Sequence, residues 1–263
     1  MSKRQKQKII STVIAVILIL SVNYFRDSLP SLNGGKAKQE TKPAVTTEES
    51  SDTSSDTAGS KQTQVFELGS IPEYSGAPYT VVNSNTPDFT SAELDKAKTS
   101  YKTFSNLDSL ERCGVAEASI GTDLLPTEKR GSIGMVKPSG WHTVRYDDLI
   151  SDRYLYNRCH LIAFCLSGEN ANTRNLITGT RYLNVEGMLP FEEKTVRYVE
   201  NTGNHVLYRV TPVFQGNDLV ARGVHMEARS VEDNGSGISF NVYCYNVQPG
   251  ITIDYATGNS HRS

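Results

Sequence analysis

The chain is short of apolar residues, which make up 37% of its 263 positions, too few for every segment to join a packed core. It also lacks a basic excess, with a formal net charge of -2. Nine of the 27 Lys/Arg and six of the 29 Asp/Glu lie in residues 1–65, which leaves 18 basic against 23 acidic residues in 66–263. Nucleic-acid binders ordinarily carry a basic footprint, so the composition counts against a broadly basic binding surface. Any phosphate contact has to come from a local cleft, or from a bound cation whose charge formal counts omit. The four cysteines form no Cys-x-x-Cys pair, which removes the usual spacing of a structural zinc site. Cys159 and His160 are neighbours in a segment that reads as extended. Successive strand side chains point to opposite faces, so the two cannot readily form a catalytic dyad or share a metal. No internal repeat is visible.

What is present begins with a basic head, Lys3, Arg4, Lys6 and Lys8, followed by an uncharged apolar run from Ile9 to Phe25. That is the pattern of an export signal, and the run is near the lower length limit for a membrane-spanning helix. Ser21-Val22-Asn23-Tyr24-Phe25 is a poor cleavage site, which favours an uncleaved anchor in residues 1–27, its basic end in the cytoplasm, over a cleaved signal. Residues 28–64 turn to Ser, Thr, Gly, Lys, Glu and Asp. A stretch of that kind cannot bury enough apolar surface to offset chain entropy, so it reads as a disordered polar linker to a domain spanning 65–263.

Within that domain, Tyr79–Val82 and Arg112–Ile120 read as strands. Thr90 and Glu93 have the spacing of a capping box, with a helix expected to run to about Tyr101. Residues Glu128–Gly140 form a basic, turn-rich loop that could approach a phosphate backbone, although a solvated surface loop is the commoner outcome. An extended segment from Asp152 delivers His160, and a second short strand is expected over Leu161–Phe164. Pro190 opens a helix with acids near its start, ending before Gly203. Strand character returns at Val206–Val213, Leu219–Val224, Ile238–Tyr245 and Ile251–Tyr255, with turns at Gly216-Asn217 and Asn234-Gly235. The order is that of a mixed α+β domain.

The chemistry concentrates between Asn157 and Glu193. His160 can accept a proton near neutral pH. Asparagine amide oxygens are hard ligands suited to magnesium, and arginine is well shaped to hold phosphate. Together these are the parts of a metal-dependent nuclease. His142, His205, His225 and His261 are read as lying outside the site. Arg174, Arg181 and Arg197 are each balanced between substrate contact and surface charge.

The run Asn157-Arg158-Cys159-His160, followed by Asn175-Leu176, Asn184 and Glu192, resembles the DNA/RNA non-specific endonuclease family. The likeness extends from Ile71-Pro72-Glu73-Tyr74-Ser75-Gly76 through Thr178-Gly179-Thr180-Arg181 to Ile253-Asp254-Tyr255-Ala256-Thr257-Gly258. The resemblance implies a ββα-metal (His-Me finger) core within a larger mixed, mainly antiparallel sheet, and a single magnesium ion that manganese can replace. By position it makes His160 the general base, Asn184 the metal ligand and Glu192 the glutamate that orients water on the metal, with Glu193 as an alternative one residue on. Arg158, a catalytic candidate, and Arg181 are candidates for gripping phosphate, and Asn175 falls where a family asparagine supports the site and is placed on the substrate side. The expected partners are DNA, RNA as a second substrate class, and a membrane through the N-terminal segment. The family motif has Asp first and Gly third, where this chain has Asn157 and Cys159.

Two competing readings remain from the residues alone: a cysteine-based site, and a surface-tethered binding module with the fold but little catalysis. The four cysteines permit three pairings of two disulfides, and nothing in the sequence selects one.

Overall fold

Period-two alternation organises the domain. In Val206–Val213, residues 206, 208 and 210 enter the main hydrophobic core while Arg209 between them faces the other way. The same alternation holds in Gly223–Ser230, where Val224, Met226 and Ala228 enter that core and Glu227 joins Arg209 on the reverse face. A strand whose alternate side chains differ this sharply is fixed in register, because a slip of one residue would exchange the faces.

The structure is a computed structural model that describes residues 68–263. The expected signal or anchor (1–27) and all of the linker (28–64) fall outside the described residues, and no described helix is long and apolar enough to cross a membrane. Among the described residues there are ten strands: β1 (Tyr79–Val81), β2 (Tyr101–Phe104), β3 (Ala116–Ile120), β4 (Tyr156–His160), β5 (Leu176–Thr180), β6 (Val206–Val213), β7 (Gly223–Ser230), β8 (Ser239–Tyr245), β9 (Ile251–Ile253) and β10 (Ser260–Arg262). Six of them form one antiparallel sheet in the order β1-β8-β7-β6-β3-β2. The pairs β4-β5 and β9-β10 stand apart as two-stranded ribbons. The α-helices are α1 (Ser91–Lys96), α2 (Phe164–Ser167) and α3 (Leu189–Thr202). All four cysteines are free thiols.

The apolar face of the sheet carries the β4-β5 ribbon and α3. Cys159, Leu161, Ile162, Ile177, Leu183 and Val199 share one core with Tyr208, Met226, Phe240 and Val242. Phe191 of α3 lies 4.8 Å from the Phe240 ring, within the range where aromatic pairs add to plain burial. The mixed α+β architecture and its mainly antiparallel sheet therefore stand as expected.

Three local expectations change. The helix capped by Thr90 has its capping box, with Glu93 N–H donating to Thr90 Oγ1, but it stops at Lys96 rather than about Tyr101. Tyr101-Lys102-Thr103-Phe104 instead pairs with β3, where β-branched and aromatic residues fit a pleated surface. Leu161–Phe164 is not a strand. The Asn175 side chain binds both Ile162 backbone groups, at 2.9 Å each, and the chain turns into α2. The strand expected at Leu219–Val224 begins only at Gly223, because the Leu219 and Val220 N–H groups donate to the Tyr255 carbonyl.

Candidate active site

His160 ends β4, and its position follows from strand geometry. His160 and Arg158 are two residues apart and line the same cleft, while Cys159 between them is wholly buried in the core. Antiparallel pairing with β5 sets His160 opposite Leu176 and Asn157 opposite Gly179. Asn175, just before β5, is 0% exposed and holds the backbone beyond His160 through Ile162.

The second element is a helix of two kinds. Leu183–Met188 is a π-helical turn that runs directly into α3, anchored where the Leu183 N–H donates to Thr180 Oγ1 at 2.9 Å. Wide turns of this kind recur at functional sites. Asn184 lies in the π turn and Glu192 in the first turn of α3, and both line the cleft that His160 enters. Pro190 does not open the helix as expected: it lies within one continuous helical run over 181–202, just after the π turn, and Gly203 (φ 73°) closes the run in the left-handed conformation that glycine tolerates best.

The cleft has a volume of about 730 Å3 and joins His160, Asn184 and Glu192 to Arg130, Arg158 and Arg181. Basic groups are thus gathered locally on a domain whose overall charge is acidic. His160 Nε2–H donates to the Asn170 carbonyl at 2.8 Å, which leaves Nδ1 as the acceptor, with Arg130 Nη2 at 3.3 Å. Burial holds the imidazole below its ordinary range, the Asn170 bond pulls it up, and the Arg130 charge pushes it down again. His160 is therefore neutral at neutral pH, the state in which Nδ1 can take a proton.

Glu192 is 8% exposed, and burial pushes its carboxyl up to about 8, with Arg130 pulling down and Glu193 adding to the rise. Glu193 faces outward and pairs with Arg197 at 3.3 Å, so Glu192 is the glutamate that the structure brings to the cleft. Asn184 Oδ1 accepts from the Cys159 thiol at 3.1 Å.

The other expected residues occupy different positions. Arg158 donates to the carbonyls of Val136 and Gly134 and lies 4.0 Å from the Trp141 ring, so it braces the basic loop against β4. Asn175 has no open face, and its expected place toward the substrate gives way to one beneath the strand. Arg181 lines the cleft and pairs with Asp152 at 3.0 Å, with both side chains about a third or more exposed. Asn157 does not orient His160; its Nδ2 is buried without a partner, and the Asn170 carbonyl does that work. His142, His205, His225 and His261 do not line the cleft.

Sequence reasoning missed Arg130 and Asn170 as site residues. Arg130 belongs to the basic loop 128–140, and its charge was the available signal. Asn170 acts through a backbone carbonyl, which no residue type announces.

A divalent cation fits this cleft on the chemistry of its donors. Asn184 offers a neutral amide oxygen whose bond from the thiol is weak, and Glu192 offers a carboxyl group with no hydrogen bond or ion pair among the described residues, whose ionised form a nearby cation favours. No group of three or more His, Cys, Asp or Glu able to hold a metal occurs among the described residues. Magnesium suits such a sparse oxygen set because it retains several waters.

Comparison with known proteins identifies the family. A family model described as DNA/RNA non-specific endonuclease matches residues 92–232, more than half of the chain. A curated deoxyribonuclease of Streptococcus dysgalactiae subsp. equisimilis is 33% identical over 110 residues, covering 40% of this chain and 32% of that protein. The match thus spans about a third of that relative's length. Among solved structures, NucA from Streptococcus agalactiae with no metal bound is similar at TM-score 0.62 and 26% identity, covering 74% of this chain and 92% of that one. Its magnesium-bound form gives TM-score 0.61 at 26% identity, covering 72% and 91%. The Sda1 nuclease with bound zinc gives TM-score 0.57 at 27% identity, covering 71% and 97%. The helix-backed ribbon that carries His160, Asn184 and Glu192 is therefore a ββα-metal core, and the chain belongs to the DNA/RNA non-specific endonuclease family.

Proposed function

We propose that this chain is an endonuclease that hydrolyses DNA phosphodiesters, with RNA as a second substrate class, using magnesium, for which manganese can substitute. The observation that carries the reading is the convergence of a neutral, buried His160 with Asn184, Glu192 and three arginines in one cleft. The magnesium-bound and zinc-bound relatives support a divalent cation. The deoxyribonuclease relative supports DNA.

In this reading Asn184 is the cation ligand and Glu192 stands beside it. The cation, when bound, adds positive charge at the phosphate oxygens and the leaving 3′ oxygen. His160 Nδ1 accepts a proton from the attacking water while Nε2–H stays on the Asn170 carbonyl, which fixes the tautomer. Arg130 must leave Nδ1 for that step, and an arriving phosphate, able to accept two parallel hydrogen bonds from a guanidinium, is suited to draw it away. Arg181 exchanges its exposed pair with Asp152 for phosphate at small cost, because exposed ion pairs contribute little. The products carry 5′ phosphates. Contacts to phosphate and sugar dominate, so sequence preference is slight. The basic head and apolar run at the N-terminus support action outside the cytoplasm, as an anchored or released protein.

The test is incubation of plasmid DNA with the full chain and with His160→Ala, in magnesium or in EDTA, followed by end-group analysis. We expect fragments ending in 5′ phosphates only from the unsubstituted chain in magnesium. DNA retained without cleavage by both proteins would instead favour a binding module.

A further inference from the structure

The third position of the motif, where the resembled family has glycine, is Cys159, and its surroundings are built for a side chain. Cys159 is 0% exposed. A Cβ on Gly179, in the facing strand β5, would lie 2.6 Å from Cys159 Cβ and 3.2 Å from its sulfur. Real Cβ atoms do not approach that closely, so glycine at 179 is what leaves room for the cysteine. From that slot the thiol reaches two groups, Asn184 Oδ1 at 3.1 Å and Met188 Sδ at 3.5 Å. Cys159 does not line the cleft, whereas Asn184 does, so the thiol touches the amide from the core side.

We propose that Cys159 is a positioning residue for cation binding: its S–H holds the Asn184 side chain with the amide oxygen, rather than the NH2, available as ligand. The proposal rests on Asn184 being the cation ligand. An asparagine amide can turn over and exchange its oxygen for a donor that repels a cation, and only a neighbouring hydrogen bond selects between the two. A thiol is well suited to this, because it donates weakly and occupies one of the two oxygen lone pairs. Groups that orient a metal ligand from behind ordinarily change metal affinity by about 10- to 100-fold when removed. Cys159 would do so here through the S–H···Oδ1 contact.

The experiment measures divalent-ion binding without nucleic acid, using Mn2+ followed by electron paramagnetic resonance and Mg2+ by calorimetry. The proteins are the full chain, Cys159→Ala and Cys159→Ser, with Cys159→Gly as a second donor-less variant should the alanine protein fail to fold. The magnesium concentration for half-maximal plasmid cleavage is recorded alongside. We expect the donor-less variants to bind the ion about tenfold or more weakly and to need correspondingly more magnesium. At saturating magnesium their cleavage rate should stay close to that of the parent. Cys159→Ser, which keeps a donor, should recover most of the affinity. Unchanged binding in the donor-less variants, or a serine variant as weak as alanine, would overturn the role of the thiol. A parent chain that binds no divalent ion would instead overturn the cation site, and this proposal with it.

Discussion

Two buried glutamates on opposite faces of the sheet show how differently one side chain can be accommodated. Glu227, on the polar face, is 3% exposed. Its carboxylate accepts from Arg209 Nη2 at 3.1 Å, from the Asp88 N–H at 2.7 Å and from Asn241 Nδ2 at 3.3 Å. Arg209 also reaches Glu93 and Glu117 and lies 4.6 Å from the Phe89 ring, so the network fastens α1 to the sheet. Glu192, on the apolar side, has none of this. Its negative charge would raise Tyr208 and the thiols of Cys159, Cys165 and Cys244, and its own carboxyl is pushed up to about 8, chiefly by loss of hydration. A buried polar group that is fully bonded serves the fold, while one left without partners is a candidate for chemistry.

The pair can be separated by Glu→Gln at each position, which should give the largest effects. Glu192→Gln is expected to lower kcat/KM by about 100-fold, as removal of a group beside a metal ligand commonly does. It should not lower Tm. The folded-state value of Glu192 lies above its unfolded one, so ionisation opposes folding as pH climbs from the ordinary carboxylate range to about 8. In EDTA, Glu192→Gln should therefore gain stability over the parent through that window and match it at pH 4. Glu227→Gln should do the reverse, losing about 1.5–3 kcal/mol in denaturant unfolding while each folded molecule cleaves at the parental rate. A large activity loss in both variants would erase the distinction.

A smaller effect sharpens the account of the cleft's electrostatics. The His160 imidazole is held below its ordinary 6.5 by burial, and Arg130 adds to that depression. The neutral form is the base, so activity falls as pH drops through the His160 value, with a midpoint below 6.5. Arg130→Gln removes a positive charge that disfavours the imidazolium, so the acid limb of kcat/KM should move to higher pH. KM for DNA should also rise through the lost phosphate contact. An unmoved acid limb would mean that Arg130 does not face His160 in solution.

How much of this was legible depended on whether a residue acts by its type or by its place. His160, Asn184 and Glu192 carry their chemistry in their side chains, and the resemblance carried by Asn157-Arg158-Cys159-His160 and the residues after it nominated them by position. The core strands were legible from alternation, as Val206–Val213 is. Asn175 supports the site as its family position implies, but its place on the substrate side does not hold, because a polar residue in a polar run gives no sign that it is wholly buried and bound to Ile162. Arg158 was nominated for its charge, yet its guanidinium is committed to the Val136 and Gly134 carbonyls. Arg130 meets His160 from 30 residues earlier in the chain, a pairing set by tertiary packing alone. The capping box fixed the start of α1, but its end was decided by the pairing of β2 with β3.

The central claim is that His160 takes the proton from the attacking water. It is tested most directly by single-turnover plasmid cleavage with His160→Gly in magnesium, with and without added imidazole. The account predicts a loss of about 100- to 10,000-fold and partial restoration by imidazole, rising with the fraction of it that is unprotonated. Cleavage by His160→Gly at the parental rate would contradict the claim.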